Sequence, residues 1–220
     1  MGQIVRKNRK SILMELSDDK NREEAMKKIQ RSIIFVIGIL LWVMQGQSVF
    51  AAGSAELLSG TIANTTISYR LTADGTLTIY SDNIEKMPNY TVNSTVPWAA
   101  QKDKIKKVQI NSYLKNIGDY AFYGCNSLES VVIQDSKLTE IGIAAFKNCT
   151  NLKTINIPET VKVIGTMGFA NCNSLQSTKK SPVNIPKGNT EIMDFAFAGC
   201  KSMQYIKIPA SVEMIGNCAF

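Results

Sequence analysis

The chain contains no histidine. That absence removes the commonest general base, the usual catalytic dyads and triads, and most zinc sites. Catalysis by carboxylates alone stays open in principle, but no motif points to it. Acidic residues are also in the minority, 18 against 25 basic, for a formal charge of +7. Nine of those basic and five of those acidic residues lie before Ser32, which leaves 16 and 13 for the rest of the chain. The excess therefore sits mostly in the leader, and nucleic acid is not an expected partner. The cluster Lys102, Lys104, Lys106 and Lys107 reads as a solvated start to a strand. An apolar fraction of 45% suffices for a packed core, and a charged fraction of 20% argues against wholesale disorder.

No apolar run reaches the roughly 20 residues that a membrane span needs. The longest, at positions 33–44, falls well short. It follows Lys27, Lys28 and Arg31, and leads through a polar stretch at 45–48 to Val49-Phe50-Ala51-Ala52. A charged start, a short apolar stretch and a small-residue exit make a secretory signal peptide. Val49 and Ala51 fit the third and first positions before the cut, so cleavage is expected after Ala51. A cut after Ala52 would put bulky Phe50 in the third position. An uncleaved anchor is the alternative, and the signal segment is then the chain's route to a membrane. Positions 1–25 carry charges of both signs, unlike most signal peptides. Starting at Met26 gives a leader of ordinary length up to Ala51, so the true start is expected there.

Everything after Ile105 is repetitive. Phe122, Phe146, Phe169, Phe197 and Phe220 follow one another at a nearly constant step, with one longer step from Phe169 to Phe197. Cys125, Cys149, Cys172 and Cys200 each lie three residues behind a Phe, and Leu128, Leu152, Leu175 and Met203 three residues behind each Cys. Each unit carries Ile-Gly or a variant, from Ile117-Gly118 to Ile192-Met193 and Ile215-Gly216. Such a period signals a solenoid, because a unit of this size cannot close a core alone and must bury its apolar residues against its neighbours. Within a unit, Leu152-x-x-Ile155-x-Ile157-Pro158 reads as a strand ended by proline. Val161-x-x-Ile164-Gly165 reads as the turn that brings the chain back, with Phe169 filling the middle. The fourth unit takes twice as many positions from Leu175 to Ile185 as the third takes from Leu152 to Ile157. Its surplus, at positions 176–181, is expected to bulge out as a loop.

These columns resemble the BspA-like bacterial leucine-rich repeats, with their Leu-x-x-Ile-x-Ile-Pro, Ile-Gly and Ala-Phe-x-x-Cys pattern. Upstream, an Asp74-Gly75 turn joins Thr66–Leu71 to Thr76–Tyr80, a good hairpin signal in its own right. Met87-Pro88 and Pro97-Trp98 then complete the small β segment with which that family often opens. The resemblance implies a leucine-rich repeat solenoid, with a parallel strand face and a small N-terminal β-hairpin cap. Residues 1–51 are then the signal peptide, 52–104 the cap, and 105–220 the repeats, the last of them truncated. It further implies a secreted or cell-surface protein that is not an enzyme and serves adhesion or protein interaction, its ligand a protein of a host or cell surface. The alternative is the binding arm of a longer surface enzyme whose catalytic domain lies beyond Phe220.

No cofactor or metal is expected. The four ladder cysteines lie a whole repeat apart, whereas zinc ligands pair only two to four positions apart. In a solenoid they stack as small hydrophobes with parallel side chains, although neighbouring rungs come within disulfide distance. Cys218 stands outside the column, at a position filled elsewhere by Tyr120, Ala144, Met167 and Phe195 and so read as free to vary. The expected ligand face is the outward side of the strands. One column is Lys107, Ser130, Thr154, Pro182 and Tyr205; the next is Gln109, Val132, Asn156, Asn184 and Lys207. A single aromatic among them disfavours a sugar platform. The sequons at Asn64, Asn89, Asn93 and Asn148 are treated as coincidence.

Overall fold

The computed structural model describes residues 55–111, 113–134, 137–180 and 183–220. The leader, its cleavage point, Met26 and Pro182 fall outside them. The described residues belong to one compact unit, Ser54–Phe220, and they form a parallel β-solenoid.

One wall is a six-stranded sheet. β1 (Glu56–Thr61), β2 (Ser68–Thr72) and β3 (Thr76–Tyr80) make an antiparallel meander. β3 then pairs in parallel with β4 (Lys107–Asn111), and the ladder continues through β6 (Ser130–Gln134) to β8 (Thr154–Ile155). Strict alternation explains the wall: Leu77, Ile79, Val108, Ile110, Val131 and Ile133 all point inward and are buried. The hairpin at Asp74-Gly75 is present, with β1 as an added strand that the sequence reading lacked. Gly75 takes φ +86°, and a Cβ there would lie 2.6 Å from the Lys104 carbonyl oxygen. The Asp74 carboxylate accepts the Thr72 hydroxyl at 2.6 Å and the Thr76 N–H at 3.1 Å, which hold its pKa below the ordinary value.

The opposite wall corrects one expectation. The Ile-Gly segments are short strands: β5 (Asn116–Ile117), β7 (Glu140–Ile141), β9 (Val163–Ile164), β11 (Glu191–Ile192) and β13 (Met214–Ile215). They form a five-stranded parallel sheet. The isoleucines of β5, β7, β9 and β11 are fully buried, whereas Ile215 on the last coil is 51% exposed. Where glycine follows, it lets consecutive coils approach. A Cβ at Gly142 would meet the Ile117 carbonyl oxygen and the Asp119 nitrogen, both at 2.8 Å.

Between the walls the rings of Phe122, Phe146, Phe169 and Phe197 stack with centroids 5.1–5.3 Å apart. Each is fully buried, contributing about 1.5–3 kcal/mol by transfer. Trp98 extends the column upstream at 5.4 Å from Phe122, and its indole N–H donates to the Ala121 carbonyl at 2.9 Å. Phe220, last in the column, stacks on Phe197 at 5.6 Å and is 48% exposed. On the third side, each Phe N–H donates to the next coil, as from Phe146 to Gly168 at 2.8 Å. The chain rounds this corner through left-handed residues. Tyr120, Ala144, Met167, Phe195 and Cys218 all have φ between 50° and 57°. The Cys218 position therefore varies in side chain but is fixed in backbone.

The surplus in the fourth unit breaks the first wall. β10 (Val183–Asn184) pairs with β12 (Ile206–Lys207) as a separate two-stranded sheet, not joined to β8. Ser177, expected in the bulge, is instead fully buried. Its hydroxyl accepts the Val183 N–H at 2.6 Å and donates to the Tyr205 carbonyl. Gln176 before it and the described loop residues from Thr178 onward face solvent.

Candidate interaction surface

Register places the expected ligand residues in two groups. Lys107, Ser130 and Thr154 lie side by side across β4, β6 and β8, with Gln109 and Val132 in the adjoining row. Both rows run on into the meander, to Thr76 beside Lys107 and Thr78 beside Gln109, with Arg70 opposite Thr78. This extension beyond Lys107 is already implied by the alternation of Thr76–Tyr80. Arg70 is held by Glu56 at 2.8 Å. The strand rows through Ser130 and Val132 are half-buried, whereas Thr154, Asn184, Tyr205 and Lys207 are exposed.

Asn156 stands apart. β8 ends at Ile155, and the Asn156 side chain takes over the pairing that the backbone gives up. Its Oδ1 accepts the Ile133 N–H and its Nδ2 donates to the Ile133 carbonyl, both at 2.8 Å. Both amide atoms are thus committed to the preceding coil.

Asn184 and Lys207 form the second group, paired across β10 and β12. They border a groove of about 520 Å³ at the proline corner, with Glu159, Ile185, Lys187 and Pro209. Its concavity is invisible in the spacing, because it depends on three coils meeting at that corner. Glu159 accepts the Lys187 backbone N–H at 2.8 Å. Among the described residues the ion pairs are Arg70–Glu56 and Lys153–Glu129, so neither groove lysine has a counter-ion there.

The cysteine column is buried and its thiols are free. The thiols do more than fill space. Cys149 donates to the Phe122 carbonyl at 3.1 Å, Cys172 to Phe146 at 3.2 Å and Cys200 to Phe169 at 3.2 Å. Each S–H thereby adds a second donor to a Phe carbonyl one coil back that already accepts the backbone N–H of its own coil's Cys. Burial pushes the Cys125 and Cys200 thiols up to about 12 and raises those of Cys149 and Cys172 as well. Such thiols are inert as nucleophiles. Among the described residues no three His, Cys, Asp or Glu side chains are grouped to hold a metal ion.

One core residue escaped the sequence reading. In the column Leu114, Leu138, Val161, Val212, the fourth unit carries Asn189. It is fully buried, and among the described residues neither side-chain amide atom has a hydrogen-bond partner.

The model of the BspA type leucine rich repeat region matches residues 99–220 in six copies. No curated protein matches. Among solved structures, a leucine-rich repeat protein from Eubacterium ventriosum ATCC 27560 is 29% identical, with a TM-score of 0.56 over 72% of this chain and 39% of that one. Another from Bacteroides ovatus ATCC 8483 is 25% identical, with a TM-score of 0.52 over 76% of this chain and 44% of that one. The chain thus spans about two fifths of the length of each.

Proposed function

We propose that this chain, which belongs to the BspA-type leucine-rich repeat family, is a secreted or cell-surface scaffold that holds a protein partner on the outward side of its six-stranded wall. The observation that carries this reading is the register of that wall. Lys107, Ser130 and Thr154, with Gln109 and the apolar Val132 beside them, form one mostly polar surface fixed by backbone pairing. Such a surface is preorganised, so binding to it costs little ordering entropy. The groups with strongly raised pKa values are the buried thiols and Tyr90, raised to about 12 chiefly by burial. None of them lines the groove. The leader supports export, and adhesion follows from export together with a partner-binding wall.

Photo-cross-linking tests the reading. The gene is expressed with its own leader in a bacterial host, and a photoreactive residue is placed at position 130 or at position 140, exposed on β7 of the opposite wall. Protease shaving should release the protein from intact cells. Cross-linked partner should form from position 130 and not from 140. Equal yields from both walls, or a product confined to the cytoplasm, would sink it.

A further inference from the structure

At the proline corner of the later coils, Lys187 and Lys207 flank a groove floored by Ile185 and Pro209. The acid on its rim, Glu159, already accepts the Lys187 N–H. Lys179 and Lys180 are exposed on the inserted loop. Lys180 stands four residues before Asn184, so its Cα lies within about 14 Å of that groove residue by chain length alone. Lys187 and Lys207 on the groove, with Lys179 and Lys180 on the neighbouring loop, outnumber the one carboxylate that lines it, which favours an anionic partner and speeds its encounter.

Asn184 supplies the second element. Its column neighbour Asn156 shows what an asparagine in this position does, pairing through both amide atoms with one residue's backbone N–H and C=O. Asn184 makes no such bond among the described residues, because the ladder is broken between β8 and β10. A donor and an acceptor with peptide-pairing geometry are therefore left open beside the groove. Ile185 and Pro209 offer an apolar floor to one side chain of whatever pairs there.

We propose that this groove docks an extended acidic peptide segment of the partner protein. Asn184 pairs with the peptide backbone, Lys187 and Lys207 bind its carboxylates, and the floor takes one apolar side chain. The proposal rests on the scaffold reading above and names the partner's chemistry.

A glutamate-rich peptide with one central leucine, labelled for fluorescence anisotropy and titrated into the whole chain, tests it. Saturable, salt-sensitive binding is expected. Lys187→Glu with Lys207→Glu should weaken it at least about tenfold. Asn184→Leu should weaken it several-fold at an unchanged thermal midpoint. Lys102→Glu with Lys104→Glu makes the same charge change far along the chain, and should leave binding within about twofold. Equal weakening by the two double reversals would mean charge without a site, and would overturn the proposal. So would an absence of binding, or tighter binding of a heparin fragment than of the peptide. If a partner still cross-links at position 130 while the groove variants change nothing, the scaffold reading stands and the groove proposal falls.

Discussion

The step from Phe169 to Phe197 is longer than any other in its column, and the two walls of the solenoid absorb the surplus unequally. The wall built from β5, β7, β9, β11 and β13 runs through the insertion without a gap. The aromatic stack is equally indifferent: Phe169 and Phe197 lie 5.1 Å apart at 11°, like the pairs around them. The other wall breaks into two sheets. Coil stacking is therefore set by the rings, by the Ile-Gly wall and by the Phe corner. The outward wall follows where it can, and that freedom makes it the place where a groove and unpaired side chains arise.

Removing a ring should break both walls at once. Phe146→Ala is expected to cost about 3–5 kcal/mol, the usual figure for truncating a buried aromatic. Lys179→Ala, in the loop, should stay within about 0.5 kcal/mol. Urea denaturation measures both, and similar midpoints would mean that the rings do not set the stacking.

Asn189→Val restores the column's apolar residue and removes two unpartnered polar atoms. It should stabilise the chain by about 1–3 kcal/mol, the penalty of burying such a group unsatisfied. A loss of stability would show that the Asn189 amide has a bound partner, such as an internal water.

Excising residues 178–182 sharpens the contrast between the walls. It joins Ser177 to Val183, so that Leu175-Gln176-Ser177-Val183-Asn184-Ile185 matches the spacing of Leu152 to Ile157. The break should heal, with amide protection gained at Asn184 and stability changed by less than about 1 kcal/mol. Global unfolding of the excised chain would mean that the loop is structural.

The smallest effect lies in alkaline solution. The Cys125 and Cys200 thiols have folded values of about 12 against 9.0 for an unburied thiol. A raised folded value means that their contribution is intact below about 9 and lost as pH rises toward 12. Denaturation midpoints should hold level through neutral pH and then fall, with a shallower fall in Cys125→Ala with Cys200→Ala. Alkylation of the native chain should mark exposed Cys218 first.

Much of this was legible in the sequence, because side chains that stack must recur. The Phe, Cys and Leu columns, the Asp74-Gly75 hairpin and the outward rows on β4 and β6 all follow from spacing and alternation. The Ile-Gly wall was not legible, since a two-residue strand is too short to show a period, and its pairing uses backbone atoms that every residue has. The thiol bonds to the Phe carbonyls were hidden for the same reason. Asn189 was visible as a polar residue in the column of Leu114 and Val161, and aligning that column would have exposed it. The roles of Asn156 and Asn184 diverge through the state of the neighbouring coil, which their own positions do not reveal.

The bonds that join coils run along the stacking axis, and among the described residues each coil is tied to its immediate neighbours. The rings repeat at 5.1–5.6 Å along that same axis. A pull on one end therefore loads a single interface at a time, and nearest-neighbour stability leaves the coils behind it intact. Under tension such a stack peels layer by layer, dissipating a tug in small steps and re-forming from the surviving edge once the load is gone.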